Sequence, residues 1–356
     1  MTAALTHRTK DREQTMVRVA QVMAGAAQGG AEAFFTRLAT GLQASGRIQQ
    51  RAFIRDAGSR VDDLRAAGVS VDTWRFGGVV HQLDRWHFRR ALRSYHPDIV
   101  LAWMNRATQA TPRGGYKLVS RLGNYYDLKY HRHADFWVGN SAGICDYLVQ
   151  GGMPSHRVFR IPNFANEAPA EALPRTSFAT PPGVPVILSA GRLHRDKAFD
   201  TLLQALVLCT DAVLWLAGDG PEKPMLQQLC RDLGLESRVR FLGWRQDVTS
   251  LMRSVDLFVC SSRHEGLGSI ILESWAHGCP IVATAAQGPG ELIDSGTTGL
   301  LVPVDKPDAL ATAIRELLQN PAERQQLADN ARAHYYRQFS KSIILQHYEE
   351  LFETVR

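Results

Sequence analysis

Residues 263–284 hold two carboxylates, Glu265 and Glu273, eight positions apart, with Gly266, Leu267, Gly268 and Ser269 between them. The glycine-serine turn predicts a loop that opens a helix. At about 1.5 Å rise per residue, eight residues place the acids roughly 12 Å apart. That separation suits an elongated polar ligand with hydroxyls at both ends, such as a nucleotide-sugar. Free backbone N–H groups at the helix start can bind a diphosphate between those ends. A loop acid beside an exposed helix acid accounts for the same spacing with no ligand at all.

Two cations upstream bear on that choice. Gly191 and Arg192 begin a turn that ends at Lys197, after an apolar run at 184–190 and before a helical pattern at 201–208. The run reads as a buried strand, so Arg192 and Lys197 sit at a strand-to-helix turn, where ligands bind in open α/β sheets. Arginine offers a planar fork to phosphate oxygens and lysine a compact charge. Hydrogen bonds to charged groups contribute roughly 1.5–3 kcal/mol each, enough for two cations to anchor a diphosphate. A solvated cationic turn is the alternative.

The order of these pieces resembles the retaining glycosyltransferases of family 4 (glycosyl transferases group 1), of bacterial lipopolysaccharide and exopolysaccharide type. G-R-L-x3-K from Gly191 is followed by A-G-D-G-P from Ala217, V-R-F-L-G ending at Gly243, and E-x7-E. G-x-P-I-V-A-T from Gly278 and G-x-L-V-P from Gly299 complete the series. In the first half the marks are Gly29-Gly30-Ala31-Glu32 and Ile161-Pro162-Asn163.

The resemblance implies an α/β chain of GT-B fold: two Rossmann-like parallel-sheet domains facing a cleft, with a C-terminal helix crossing back to the first. It assigns Arg192 and Lys197 to a donor diphosphate, Glu273 to ribose hydroxyls and Glu265 to the transferred sugar. Gly191, Gly243 and the backbone of Gly266, Leu267 and Gly268 complete the donor site, with Glu265, Arg192 and Lys197 as the catalytic set. Leu267 stands where Phe is commoner, and Ala198 where Gly often follows the lysine; neither change removes a charge. The acceptor falls to the first domain, at Gly29 and Gly30. Many relatives carry a histidine after a middle strand there. This chain has none at residues 103–106 or 121–127, which leaves Asn105 and Asp127 as polar substitutes or as structural residues.

The implied activity moves a hexose from a UDP- or GDP-linked donor to a glycan acceptor, lipid-linked, in lipopolysaccharide core or exopolysaccharide assembly. No cofactor beyond the donor and no metal is implied. His131 and His133, two apart, do not present two ligands on one helix face and have no acid pair beside them. Other readings are a GT-B enzyme acting on a soluble sugar, and a catalytically silent glycan-binding or scaffold subunit. Retention of Arg192, Lys197, Glu265 and Glu273 argues against the silent subunit.

At 356 residues, 45% hydrophobic and 21% charged, the chain suits two globular domains. No apolar run approaches the roughly 18 residues of a membrane span. Residues 1–15 are polar, without a signal-peptide core, and read as a disordered tail, so Met16 is a candidate start. Five cysteines with no C-x-x-C pair point to reduced thiols and the cytoplasm. Residues 1–165 carry 23 Lys/Arg against 12 Asp/Glu, and the remainder 18 against 23. A basic first half can face an anionic membrane or a phosphorylated acceptor. No nucleic-acid-binding signature accompanies it.

Strands are expected at 17–23, 51–54, 99–103, 117–120, 136–139 and 158–161, with a glycine turn at 25–30 and a helix at 31–42. A Pro- and Ala-rich linker at 166–182 divides a first domain, 16–165, from a second, 183–339. The second domain has expected strands at 185–190, 213–217, 239–242, 257–260, 280–283 and 301–303, and helices at 307–319 and 322–338. Residues 340–356 are the crossover helix. Residues 83–94 form a basic aromatic helix bearing Arg85, Trp86, Phe88, Arg89, Arg90 and Arg93. It is either an interfacial helix that meets anionic lipid on the inner face of the plasma membrane or a core-facing amphipathic helix.

Overall fold

Strand β1 (Val17–Met23) is buried at nearly every position, as a parallel strand covered on both faces must be. The computed structural model describes residues 16–27, 29–56, 59–76 and 81–356, without the side chains of residues 81 and 82. The expected tail at 1–15 lies outside the described residues, as does one residue of the glycine turn. From β1 the chain runs through α1 (Gly30–Ser45), β2 (Ile48–Arg55), α2 (Arg60–Ala66), β3 (Ser70–Trp74) and α3 (His81–Tyr95). It continues with β4 (Ile99–Trp103), α4 (Met104–Ala110), β5 (Lys117–Leu122), β6 (Phe136–Gly139), α5 (Ala142–Gln150) and β7 (Val158–Arg160). These strands form a parallel seven-stranded sheet in the order β3-β2-β1-β4-β5-β6-β7.

The second half repeats the plan. It begins with β8 (Val186–Ala190), α6 (Phe199–Val207), β9 (Val213–Ala217), α7 (Lys223–Asp232), β10 (Val239–Gly243) and α8 (Val248–Ser254). Then come β11 (Leu257–Cys260), α9 (Ser269–Ala276), β12 (Ile281–Thr284), α10 (Gln287–Leu292) and β13 (Leu300–Val302). The parallel six-stranded order is β10-β9-β8-β11-β12-β13. Helices α11 (Pro307–Gln319), α12 (Pro321–Gln338) and α13 (Lys341–Val355) finish the chain. Strand order reverses between β1 and β4 in one sheet and between β8 and β11 in the other, which opens a crevice at each carboxyl edge.

Helix α13 crosses back. Its Ile344, Tyr348, Leu351, Phe352 and Val355 share one core with Phe34 and Leu38 of α1 and Val19 of β1. Segment 166–182 lies against the second sheet: the Leu173 N–H donates to Ser254 Oγ (2.6 Å) and the Phe178 ring sits 4.6 Å from that of Trp215.

Two sequence expectations are revised. Strand β3 went unanticipated because it is an edge strand with polar Ser70 and Asp72, and Asp72 is ion-paired to Arg51 of β2 at 2.8 Å. In α3 the aromatics part company. Phe88 is buried among Phe53, Trp74 and Phe76, whereas Trp86 is 54% and Leu83 60% exposed. Phe88 is therefore a core residue, and only Trp86 of the aromatic pair is free to meet a surface.

Because Phe352 is wholly buried in the first half's core, Phe352→Ala should cost about 3–5 kcal/mol by cavity formation. Urea titration followed by far-UV circular dichroism reads this directly. A loss below about 1 kcal/mol would show that α13 does not hold the first sheet.

Candidate active site between the two sheets

The loop after β8 is pinned on both sides. Gly191 N–H donates to the Ala217 carbonyl and Leu193 N–H to that of Asp219, both at 2.9 Å, which ties the turn to β9 and its exit. Arg263, in the loop after β11, forks onto Asp200 (3.1 and 2.8 Å), reaches Asp305 (2.6 Å), and donates its N–H to the Asp196 carbonyl (2.7 Å). Ser261 Oγ adds a bond to the Lys197 carbonyl at 2.8 Å. The two loops at this switch point are thereby one unit. Ala198, where the resembled family often has glycine, is fully buried with φ 48°. That left-handed conformation costs an L-residue about 1–2 kcal/mol, which is why glycine is common there.

On this unit Lys197 Nζ pairs with Glu265 Oε2. Burial opposes the ammonium charge, but the Glu265 carboxylate, Cys260 and Asp196 together hold the Lys197 pKa above its ordinary value. Gly268 caps α9 at φ 86°, a conformation suited to glycine, and the helix start at Gly268, Ser269 and Ile270 lines the cleft. Gly266 allows the halves to touch, because a side chain there would begin 2.8 Å from the Gly123 carbonyl oxygen.

Glu273 lies on the second turn of α9. One oxygen pairs with Arg37 Nη1 of α1, and the other accepts the Asn166 N–H at 2.9 Å. A carboxylate of the second half is thus bound by a cation of the first. Asn163 Nδ2 donates to Ser269 Oγ at 2.7 Å, again across the cleft. Glu291 of α10 accepts the N–H groups of Ala142 and Gly143 (2.6 and 3.2 Å) and so caps α5 of the opposite half.

The cleft measures about 630 Å³. Its walls include Gly29, Gly30, Gly191, Arg192, Lys197, Glu265, Leu267, Gly268 and Glu273, all singled out in the sequence. The Arg192 side chain has no hydrogen-bond partner among the described residues. Gly243 stands behind the wall, where its carbonyl accepts the Gly218 N–H at 2.7 Å. Gly266 packs against Gly123 and is likewise not a wall residue.

The acceptor candidates divide. Gly29 and Gly30 face the cleft, but Asn105 and Asp127 do not. Asn105 Oδ1 binds His131 Nε2 at 2.7 Å, while Ser120 Oγ binds Nδ1 at 2.7 Å. Asn105 therefore orients an interior histidine. Asp127 caps a 3-10 turn on the surface and pairs with Lys129 (2.6 Å), whose hydrogen bonds hold its carboxyl below the usual range. Sequence reasoning missed Arg37, Arg121, Trp244 and Arg245 as wall residues. Trp244 directly follows the V-R-F-L-G motif, so its position was available; Arg37 and Arg121 gave no local signal.

The profile of the family described as "Glycosyl transferases group 1" matches residues 174–334. Across almost the whole chain, the lipopolysaccharide core biosynthesis glycosyltransferase LpsE of Rhizobium meliloti (strain 1021) is 36% identical over 330 residues, 92% of this chain and 96% of its own. The chain belongs to that glycosyltransferase family. LpsD of the same organism, also a lipopolysaccharide core biosynthesis glycosyltransferase, is 33% identical over 92% of this glycosyltransferase and 95% of its own length. In three dimensions Anabaena Alr3699/HepE, solved with UDP-glucose, superposes with a TM-score of 0.84 at 23% identity, over 95% of this chain and 99% of that one. The fold is GT-B.

Burial pushes the His131 pKa down to about 4. Between pH 6.5 and about 4 the unfolded chain binds a proton that the folded protein excludes, so this contribution is complete above pH 6.5 and is lost as pH falls. At about 1.4 kcal/mol per pKa unit, the full loss is on the order of 3 kcal/mol. His131→Gln should flatten this part of the pH profile when urea midpoints are compared near neutrality and near pH 5. An unchanged slope would remove His131 as its source.

Proposed function

We propose that the chain transfers a hexose, with retention at the anomeric carbon, from a UDP- or GDP-linked donor to a lipid-linked glycan in lipopolysaccharide core assembly. The observation that carries this reading is the convergence of Arg192, Lys197, Glu265, Glu273 and the α9 start on one cleft. The likeness to LpsE and LpsD over 92% of the chain supports the pathway. Arg192, Lys197 and the α9 N–H groups absorb charge as the diphosphate leaves, so the reading needs no metal. Glu273 takes the ribose hydroxyls, Glu265 orients the transferred sugar, and Gly29 and Gly30 let the acceptor approach.

The acceptor's remainder has somewhere to lie. Along the carboxyl edge of the first sheet, a cavity of about 970 Å³ is lined by Arg55, Trp74, Arg75 and Arg106, together with Asp56 and Asp84. Asp84 is occupied by the Arg75 and Phe76 N–H groups. No helix of the described residues is long and apolar enough to cross a membrane. Exposed Leu83 and Trp86, beside Arg90 and Arg93 on α3, fit peripheral attachment at the inner face of the plasma membrane.

Lys197→Ala should lower kcat/KM about a hundredfold or more, the usual loss on removing a charge from a leaving-group site. UDP or GDP at a hundredfold excess over Kd should stabilise the parent by about 2.7 kcal/mol and the variant far less. Undiminished turnover in the variant would sink the donor site. The parent should also cosediment with vesicles containing phosphatidylglycerol, and Leu83→Ser with Trp86→Ser should abolish this. Equal retention of parent and double variant would exclude α3 as the anchor.

A further inference from the structure

Arg121 of β5 is 1% exposed, yet no carboxylate among the described residues pairs with it. A buried guanidinium ordinarily has such a partner. The Phe34 and Trp103 ring centroids lie 4.9 and 4.4 Å from its Cζ. Its Nε donates to the Tyr348 hydroxyl at 2.9 Å and its Nη2 to Asn163 Oδ1. All four partners are neutral, and burial holds the Tyr348 hydroxyl above its ordinary pKa. The positive charge is solvated by rings and dipoles alone.

The remaining nitrogen, Nη1, has no partner among the described residues. It lies 3.4 Å from the point where a side chain on Gly123 would begin, and Asn140 Nδ2 lies 3.6 Å from that same point. Asn140 is 3% exposed, and its Nδ2, the donor that an anion would meet, has no hydrogen-bond partner among the described residues. Arg121, Gly123 and Asn140 all line the cleft. Through Asn163, which also bonds Ser269 at 2.7 Å, the guanidinium is coupled to the first residue of α9.

We propose that Arg121 and Asn140 form an anion subsite on the first-sheet wall of the cleft, taking a terminal phosphate oxygen of the nucleoside diphosphate. This rests on the donor site argued above and adds to it a charge from the opposite half. Glycine at 123 keeps the path from the cleft to Nη1 open. The buried cation gains its counter-charge only when the cleft is filled, so the diphosphate binds both halves at once.

Calorimetric titration of UDP, GDP and the matching nucleosides into the full chain tests the subsite. Hydrogen bonds to charged groups predict that Arg121→Gln weakens the better diphosphate about tenfold to a hundredfold, with little effect on its nucleoside. Asn140→Asp adds a carboxylate to the cleft wall that carries Arg121. It should raise the melting temperature of the ligand-free protein and weaken the diphosphate, and it carries the test if Arg121→Gln does not fold. Diphosphate binding by the parent that both variants keep, or an equal loss for nucleoside and diphosphate, would overturn the subsite and leave the donor reading standing. A parent that binds neither diphosphate would overturn both.

Discussion

Parallel strands cannot be joined by tight turns; each must be left by a crossover, and the crossovers share one hand. In both sheets this places the two middle loops on opposite sides of a reversal in strand order, β1 with β4 and β8 with β11. The loops that carry the candidate donor residues follow from that constraint. Gly191 to Lys197 leave β8, Glu265 to Gly268 leave β11, and Gly29 and Gly30 leave β1. The candidate site lies where the two halves face each other, and neither sheet holds it alone.

The two acids of the E-x7-E motif are neutralised differently. Glu265 finds its cation within its own half, at Lys197, on loops already fastened by Arg263. Glu273 finds its cation across the cleft, at Arg37. The first pair stiffens the loops proposed to take the diphosphate; the second joins the halves at the position proposed for ribose. Glu291 on the α5 N-terminus and Asn163 on Ser269 add further polar bonds between the halves. Such bonds exchange readily with ligand or water, unlike the apolar packing of α13.

Legibility in the sequence followed the range of the interactions. The second half could be read because its site residues lie in short contiguous motifs, each a strand end with its turn. Ala198 shows both the strength and the limit of such reading: the departure from glycine was visible, but its left-handed backbone was not. The first half was harder. Asn105 follows a middle strand, as a site residue should, but turns inward to His131, a partner 26 positions away. Arg37 and Arg121 look like ordinary helix and strand residues until partners at positions 273, 163 and 348 surround them. Phe88 and Trp86 belong to one helix, and only the packing of Phe53 and Phe76 decides which turns inward.

Helix α13 completes the core of the first sheet, although the whole second half separates it from β7 in the chain. During synthesis, the earliest residues to emerge from the ribosome must wait for some of the latest before their apolar face is covered. Until then, the surface around Phe34, Leu38 and Val19 is open to chaperones or to neighbouring nascent chains. Vectorial folding therefore favours the second half, which encloses its own core, and the first half consolidates last. A fragment cut between the halves would separate the sequence without separating the folding units.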